Sequence, residues 1–254
     1  MTGRIAPDSA GTQLLERLAA VLTALAEAPG PLIAAELAER AALPASTTYR
    51  LVQGLERHGL LMREGRGEVA IGLRVLGLAR LVEDRLDATL VEPARPVMRR
   101  LTARHGETAI LTALAGTSAI GIASVESRQP VRLSYSRWRS TPAHRGASGK
   151  ILLAFADDRA RERVLAGLGP EDDPEALERE LDAVRAAGHV LTHGELDEGV
   201  SGVAAPVLDA RGRLAAGLTL VGPTARVTAE SGAVTAAVVA AAAEISARVG
   251  EGAP

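Results

Sequence analysis

The chain has no cysteine among its 254 residues, which excludes disulfides and thiolate metal sites and gives no reason to place it in an oxidising compartment. Aromatic side chains are scarce as well: one Trp, two Tyr and one Phe. A small-molecule pocket here is therefore expected to be walled by aliphatics rather than built as a stacking cage. Lysine occurs once, as Lys150, in a chain that otherwise draws its positive charge from arginine. The net charge is −2, so there is no bulk excess to draw the chain onto a polyanion, and any nucleic-acid contact has to come from local placement of arginine. The five histidines are scattered and no helical ligand spacing supports a site, so neither a metal nor a cofactor is expected. The opening MTGRIAPDSAGT lacks an apolar signal core, which predicts a disordered tail over residues 1–11 and a cytoplasmic protein. The most apolar stretch, AVTAAVVAAAAEISARV, is mostly alanine and is cut by Glu244 and Arg248. It reads as a buried helix, too short and too weakly apolar to span a bilayer.

What is present is periodic. Leu14, Leu18, Val21, Leu22 and Leu25 recur at helical spacing until EAPGP breaks the pattern. Leu32, Ile33, Leu37 and Ala41 predict a short second helix beside Pro31, ended by LP at 43–44. Ser46 then suits an N-cap and Gly59 a left-handed C-cap, giving a third helix over roughly 47–58. At 100° per residue, Thr48, Leu51, Val52 and Leu55 share one arc, while Ser46, Arg50, Gln53 and Arg57 fall opposite. GRGEVAIGL adds a two-stranded hairpin. Three helices and a hairpin describe a winged helix-turn-helix.

Leu73, Leu76, Leu78, Leu81 and Val82 continue as a connecting helix, followed by another over roughly 89–105. Strands are then expected in TAILTALAG, AIGIASVE and VRLSYS, helices in ASGKILLAF, DRARERVLAGL and PEALERELDAVRAAG, and strands again in VSGVAAPVLDARGRLAAGLTLVG before the alanine-rich helix. The fold class is α+β, with helices flanking an antiparallel sheet.

Three clusters carry candidate chemistry. On the third helix, Ser46 and Thr47 suit phosphate, and Arg50 and Gln53 are residue types that pair with guanine and adenine edges in the major groove. Thr48 and Tyr49 share the same turn, Arg57 lies on the outer side, and Arg63 and Arg66 flank the hairpin, placed for phosphates or the minor groove. A solvated surface helix is the bland alternative for any single one of these. In PAHRGASGKILLAF a polar loop with His144, Arg145, Gly146, Ala147 and Ser148 runs into an apolar helix whose first amides can receive an anionic group. Arg145 beside His144 is compatible with a carboxylate ligand. Lys150 and Ser148 also allow an enzyme or covalent sensor, although no base or orienting partner is evident. THGELDEGVSGVAAP reads as a charged hairpin loop over the sheet, with Glu195, Ser201 and Ala204 as candidate pocket residues.

LAERAALPASTTYRLVQGLERHGLL, AHRGASGKILLA and GELDEGVSGVAAPVLDARGRLAAGLTLVGP, in that order over about residues 12–250, resemble the isocitrate lyase regulator (IclR) family of bacterial transcription factors. The resemblance implies a winged helix-turn-helix over 12–73, a linker helix used in dimerisation over 74–87, and a GAF-like effector-binding domain over 88–250. It places Ser46, Thr47, Tyr49 and Arg50 in the recognition-helix motif, Ser148, Gly149 and Lys150 in the sensor-loop motif, and Glu195, Gly199, Val200 and Ala204 to Pro206 in the last sheet motif. Its implied partners are a pseudo-palindromic double-stranded DNA operator, a small-molecule effector and further copies of the chain as dimer or tetramer. The wing departs from the family pattern, with Val69 and Ile71 before Gly72 where tyrosine and leucine are usual. A winged helix that binds protein instead of DNA is the remaining alternative, kept open by nine arginines against eight acids in residues 1–80.

Overall fold

Apolar residues at helical spacing need a partner surface, and in the first eighty residues they find one in each other. The computed structural model describes residues 10–65 and 67–251. Helices α1 (Ala10–Ala26), α2 (Ala34–Arg40) and α3 (Ala45–Arg57) enclose a core of Val21, Leu25, Leu37, Leu51, Val52 and Leu55. Each such side chain withdrawn from water contributes about 1.5–3 kcal/mol before the entropy of ordering is set against it. The hairpin of β1 (Leu61–Glu64) and β2 (Glu68–Ile71) closes this core with Leu61 and Val69. Leu32, expected in α2, instead bridges to Val69 through two backbone hydrogen bonds of 3.0 and 2.7 Å, tying the entry of α2 to the wing. Gly59, at φ +69, makes the left-handed turn out of α3. Of the tail expected over 1–11, Ala10 and Gly11 are helical and the rest lies outside the described residues.

Helix α4 (Arg74–Leu86) buries none of its residues. A π-helical turn at Asp87–Val91 and α5 (Glu92–His105) follow without a break. The widened turn comes just before Pro93, which cannot donate a hydrogen bond and whose ring would crowd the carbonyl four residues earlier. Gly106, at φ +69, ends α5 in the left-handed conformation.

Contacts divide the chain at Asp84/Arg85 into two units. The second is built on a six-stranded antiparallel sheet of β3 (Thr108–Ala115), β4 (Ser118–Val125), β5 (Ser140–Pro142), β6 (Val190–His193), β7 (Val200–Leu208) and β8 (Leu214–Pro223), in the order β5-β4-β3-β8-β7-β6. Helices cover both faces, so the inner strands read as nearly unbroken apolar and small residues. On one face, Val97, Met98 and Leu101 of α5 join Val238 and Ile245 of α10 (Ser231–Glu251) against Val203, Leu218 and Leu220. On the other, Ile151, Leu152 and Leu153 of α6 (Gly146–Phe155) pack with Leu181 and Val184 of α8 (Pro174–Ala187). Between these helices runs α7 (Asp158–Ala166), and α9 (Thr224–Ala229) leads into α10.

Three expectations need correction. VRLSYS is not a strand: its carbonyls are taken by side chains, Thr108 donating to Leu133 O (2.7 Å) and Ser124 to Tyr135 O (3.2 Å). The edge position beside β4 goes to β5, and β6 and α9 were not anticipated. The last helix is 21 residues long and is, among the described residues, long and apolar enough by length and composition to cross a membrane. It packs one face, Val234, Val238, Ala242 and Ile245, on the sheet, and so is half covered rather than buried throughout.

Candidate functional site

On α3 the arc argument places Thr48, Leu51, Val52 and Leu55 inward, and all four are buried. Thr48 is 0% exposed and donates its hydroxyl to Pro44 O (3.2 Å), so it is a core residue and not a groove contact. Ser46 is not the N-cap. The helix begins at Ala45 after Pro44, with no side-chain cap, and Ser46 stands exposed in the first turn with half-buried Thr47 beside it. Tyr49, Arg50, Gln53 and Arg57 are exposed, and Arg50, Gln53 and Arg57 make no hydrogen bond or ion pair with other described residues. Arg63 is placed differently from the other arginines. It lies in β1, pairs with Glu56 (3.4 Å), donates to Gly67 O (3.2 Å) and sits 6.0 Å over the Tyr49 ring, bracing the wing against α3. Arg66 lies outside the described residues.

In the second unit a small cavity of about 50 Å³ opens at the N-terminus of α6, room for a few water molecules. Gly146, Ala147 and Ser148 line it from the helix, Glu195, Leu196 and Asp197 from the loop after β6, and Gly202 and Thr219 from the sheet. Tyr135, Arg139 and Thr141 close the remaining side, with Ile110, Leu133, Val200 and Val221 supplying an aliphatic floor. The free first amides of a helix and its positive dipole end suit an anion or a carbonyl. Part of that capacity is used internally, because Glu195 Oε2 accepts from Gly146 N at 2.9 Å. Ser148 Oγ is 2.9 Å from Thr219 Oγ1. The Arg139 guanidinium stands 5.6 Å over the Tyr135 ring and reaches Asp197 only at 3.5 Å. Burial pushes the Tyr135 phenol above its usual range, with the Arg139 charge and nearby Thr141 opposing the shift.

Several candidates fall outside this cavity. His144 and Arg145 turn the other way and face Asp172, at 3.6 and 3.2 Å, in a separate surface depression. The hydrogen bond from Arg145 holds the Asp172 carboxyl below its ordinary range, so Arg145 is already matched to an internal carboxylate. Ser201 is 1% exposed and bonds His193 Nδ1 and Thr224 Oγ1, both at 2.8 Å. Ala204 is fully buried beneath α6. Sequence reasoning missed Tyr135, Arg139, Thr141, Thr192, Asp197 and Thr219, although scarcity could have drawn attention to Tyr135, one of two tyrosines.

Lys150 explains its own singularity. Its Nζ lies between Glu180 Oε1 (2.6 Å) and Glu195 Oε1 (2.7 Å), 7% of the residue is exposed, and it does not line the cavity. It is a latch from α6 to α8 and to the loop carrying Leu196 and Asp197. Removing one member of a buried pair costs about 3–5 kcal/mol; with Glu195 28% and Glu180 43% exposed, water reduces this to about 1–3 kcal/mol. Lys150→Met is therefore expected to lower the melting temperature by several degrees and to speed proteolysis at 194–199. An unchanged melting curve would rule the latch out.

No group of three or more metal-ligating side chains occurs among the described residues. Comparison with known proteins matches residues 14–65 to the IclR helix-turn-helix domain and residues 85–247 to the bacterial transcriptional regulator IclR C-terminal domain. The HTH-type transcriptional regulator BhcR of Paracoccus denitrificans is 32% identical over 250 residues, covering 95% of this chain and 88% of that protein. KipR of Bacillus subtilis, also an HTH-type transcriptional regulator, is 32% identical over 200 residues, 76% of this chain and 79% of its own. Among solved structures, a putative IclR transcriptional regulator from Silicibacter sp. superposes with TM-score 0.75 at 25% identity, covering 92% of this chain and 96% of that one. An IclR homologue from Microbacterium hydrocarbonoxydans complexed with 4-hydroxybenzoate superposes with TM-score 0.67 at 29% identity, covering 93% and 98%. With both domain models matched in order and relatives aligned over most of its length, the chain belongs to the IclR family of bacterial transcriptional regulators.

Proposed function

We propose that the chain is a cytoplasmic homodimer or homotetramer whose α3 reads a pseudo-palindromic operator and whose GAF-like second unit binds a small organic acid. The observation that carries this reading is the presence, in one chain, of uncommitted exposed donors on α3 and, at the N-terminus of α6, an aliphatic-floored cavity with polar groups on its walls. Arg50 and Gln53 are assigned to base edges, Ser46, Thr47, Tyr49 and Arg57 to the backbone, and Arg63 to holding the wing. The amides of Ala147 and Ser148, with Arg139, are assigned to the acid's carboxylate. The 4-hydroxybenzoate complex of the Microbacterium homologue supports an acid of this kind. Leu76, Leu78, Leu81 and Val82 on α4, with Leu73 just before it, are exposed apolar side chains, which suits pairing of two α4 helices and a linker role for residues 74–87. Ser148 and Lys150 are committed to Thr219 and to Glu180 and Glu195, which supports a regulator that performs no catalysis.

The test is fluorescence anisotropy on DNA from the chain's own upstream intergenic region. Affinity is expected to fall steeply and log-linearly with salt, as phosphate contacts require. A matching organic acid should shift it by about 5- to 150-fold, the usual size of a coupling between sites. Absence of DNA binding at every salt concentration, with and without acids, would overturn the reading.

A further inference from the structure

Nearly every polar group around the cavity already has an internal partner. Ser148 and Thr219 satisfy each other, Glu195 is held by Gly146 N and Lys150, and Thr141 donates to Ala119 O at 3.4 Å. Tyr135 is the exception. The residue is 8% exposed, and its Oη is one of three buried side-chain atoms without a hydrogen-bond partner among the described residues. The Thr141 hydroxyl stands near enough to temper the phenol's ionisation, but it is turned to Ala119 O at 3.4 Å, and no partner meets Tyr135 Oη in hydrogen-bond geometry.

An unserved buried hydroxyl carries a desolvation cost that a phenylalanine in the same space would avoid. The ring is nonetheless fixed from several sides. Gly121 leaves room for it, since a Cβ there would lie 2.2 Å from Tyr135 Cε1. Ser124 holds its carbonyl, and the Arg139 guanidinium lies over its face. The surroundings thus specify where the hydroxyl sits while giving it nothing to bond.

We propose that Tyr135 is the selectivity residue of this cavity, its hydroxyl kept free to donate to a second oxygen on the effector, a hydroxyl or a carbonyl, besides the carboxylate received at α6 and Arg139. The inference rests on the organic-acid reading above and adds the class: hydroxy or oxo acids, in preference to the acids lacking that oxygen. An acid without it leaves Oη buried and unpaired in the complex, which is how a polar site rejects a deoxy analogue.

The experiment compares full-length wild type with Tyr135→Phe. First, melting is followed without ligand. The variant is expected to match or exceed wild type, because it loses no bond and sheds a buried polar atom; a lower melting temperature would mean the hydroxyl has a structural partner and would overturn the proposal. Second, calorimetry measures the pairs glycolate and acetate, lactate and propionate, and 4-hydroxybenzoate and benzoate. Wild type is expected to prefer the hydroxylated member of at least one pair by about 10- to 100-fold, and the variant to lose that preference while binding the deoxy acid as before. A preference surviving in Tyr135→Phe, or equal weakening of both members, would overturn the assignment, the latter by placing Oη on the carboxylate. If no acid binds wild type, the organic-acid reading itself has failed and this inference falls with it.

Discussion

Gly149→Ala is expected to lower the melting temperature of the second unit by about 6–12 °C. Gly149 is buried in the first turns of α6, where an added Cβ would lie 2.6 Å from Ala143 O, 2.8 Å from Pro142 O and 2.9 Å from Ala143 C. All three are backbone atoms at the end of β5, so no rotamer change relieves the clash and either α6 or the edge strand must move. Overpacking of this kind costs about 1–3 kcal/mol and more where backbone must shift; about 3 kcal/mol in a unit of this size gives the stated drop. Ala147 and Ser148, the two residues just before it, line the cavity, so effector affinity should fall with stability. A melting curve within 2 °C of wild type would mean that the close seating of α6 on β5 contributes little.

Arg50→Ala should leave stability unchanged, since Arg50 makes no hydrogen bond or ion pair with other described residues, but should cost about 5- to 150-fold in discrimination between operator and unrelated DNA. That range corresponds to the ~1–3 kcal/mol of a paired arginine contact with guanine. Competition anisotropy separates the possibilities. If operator and unrelated DNA weaken together and the salt slope drops by about one, Arg50 holds a phosphate and not a base. Arg63→Ala should behave differently. With Glu56, Gly67 O and Tyr49 as partners, its loss frees the wing and should lower affinity for all sequences.

Helical periodicity made α3 legible, because one turn of sequence fixes which side faces the core, and the same arc that named Thr48 as core argued against it as a DNA contact. The Ser46 cap failed because Pro44, with its fixed φ, already turns the chain into the helix two residues earlier. In the second unit the structure places Gly146, Ala147 and Ser148 of the loop-to-helix motif in one cavity with Glu195. Adjacency could not say on which side of that loop His144 and Arg145 emerge. Ser201 shows the period of two: Gly202 lines the cavity, so its neighbour faces His193 and Thr224 instead. Thr219 and Tyr135 enter through sheet register and a loop held by side-chain hydrogen bonds, and neither leaves a local pattern.

The two outer strands of the sheet are its shortest, β5 with three residues ending in Pro142 and β6 with four. An outermost strand is a template on which another chain can polymerise, and brevity together with a residue lacking an N–H removes most of that template. Growth into β-fibrils by strand addition is thereby disfavoured at both edges of the sheet.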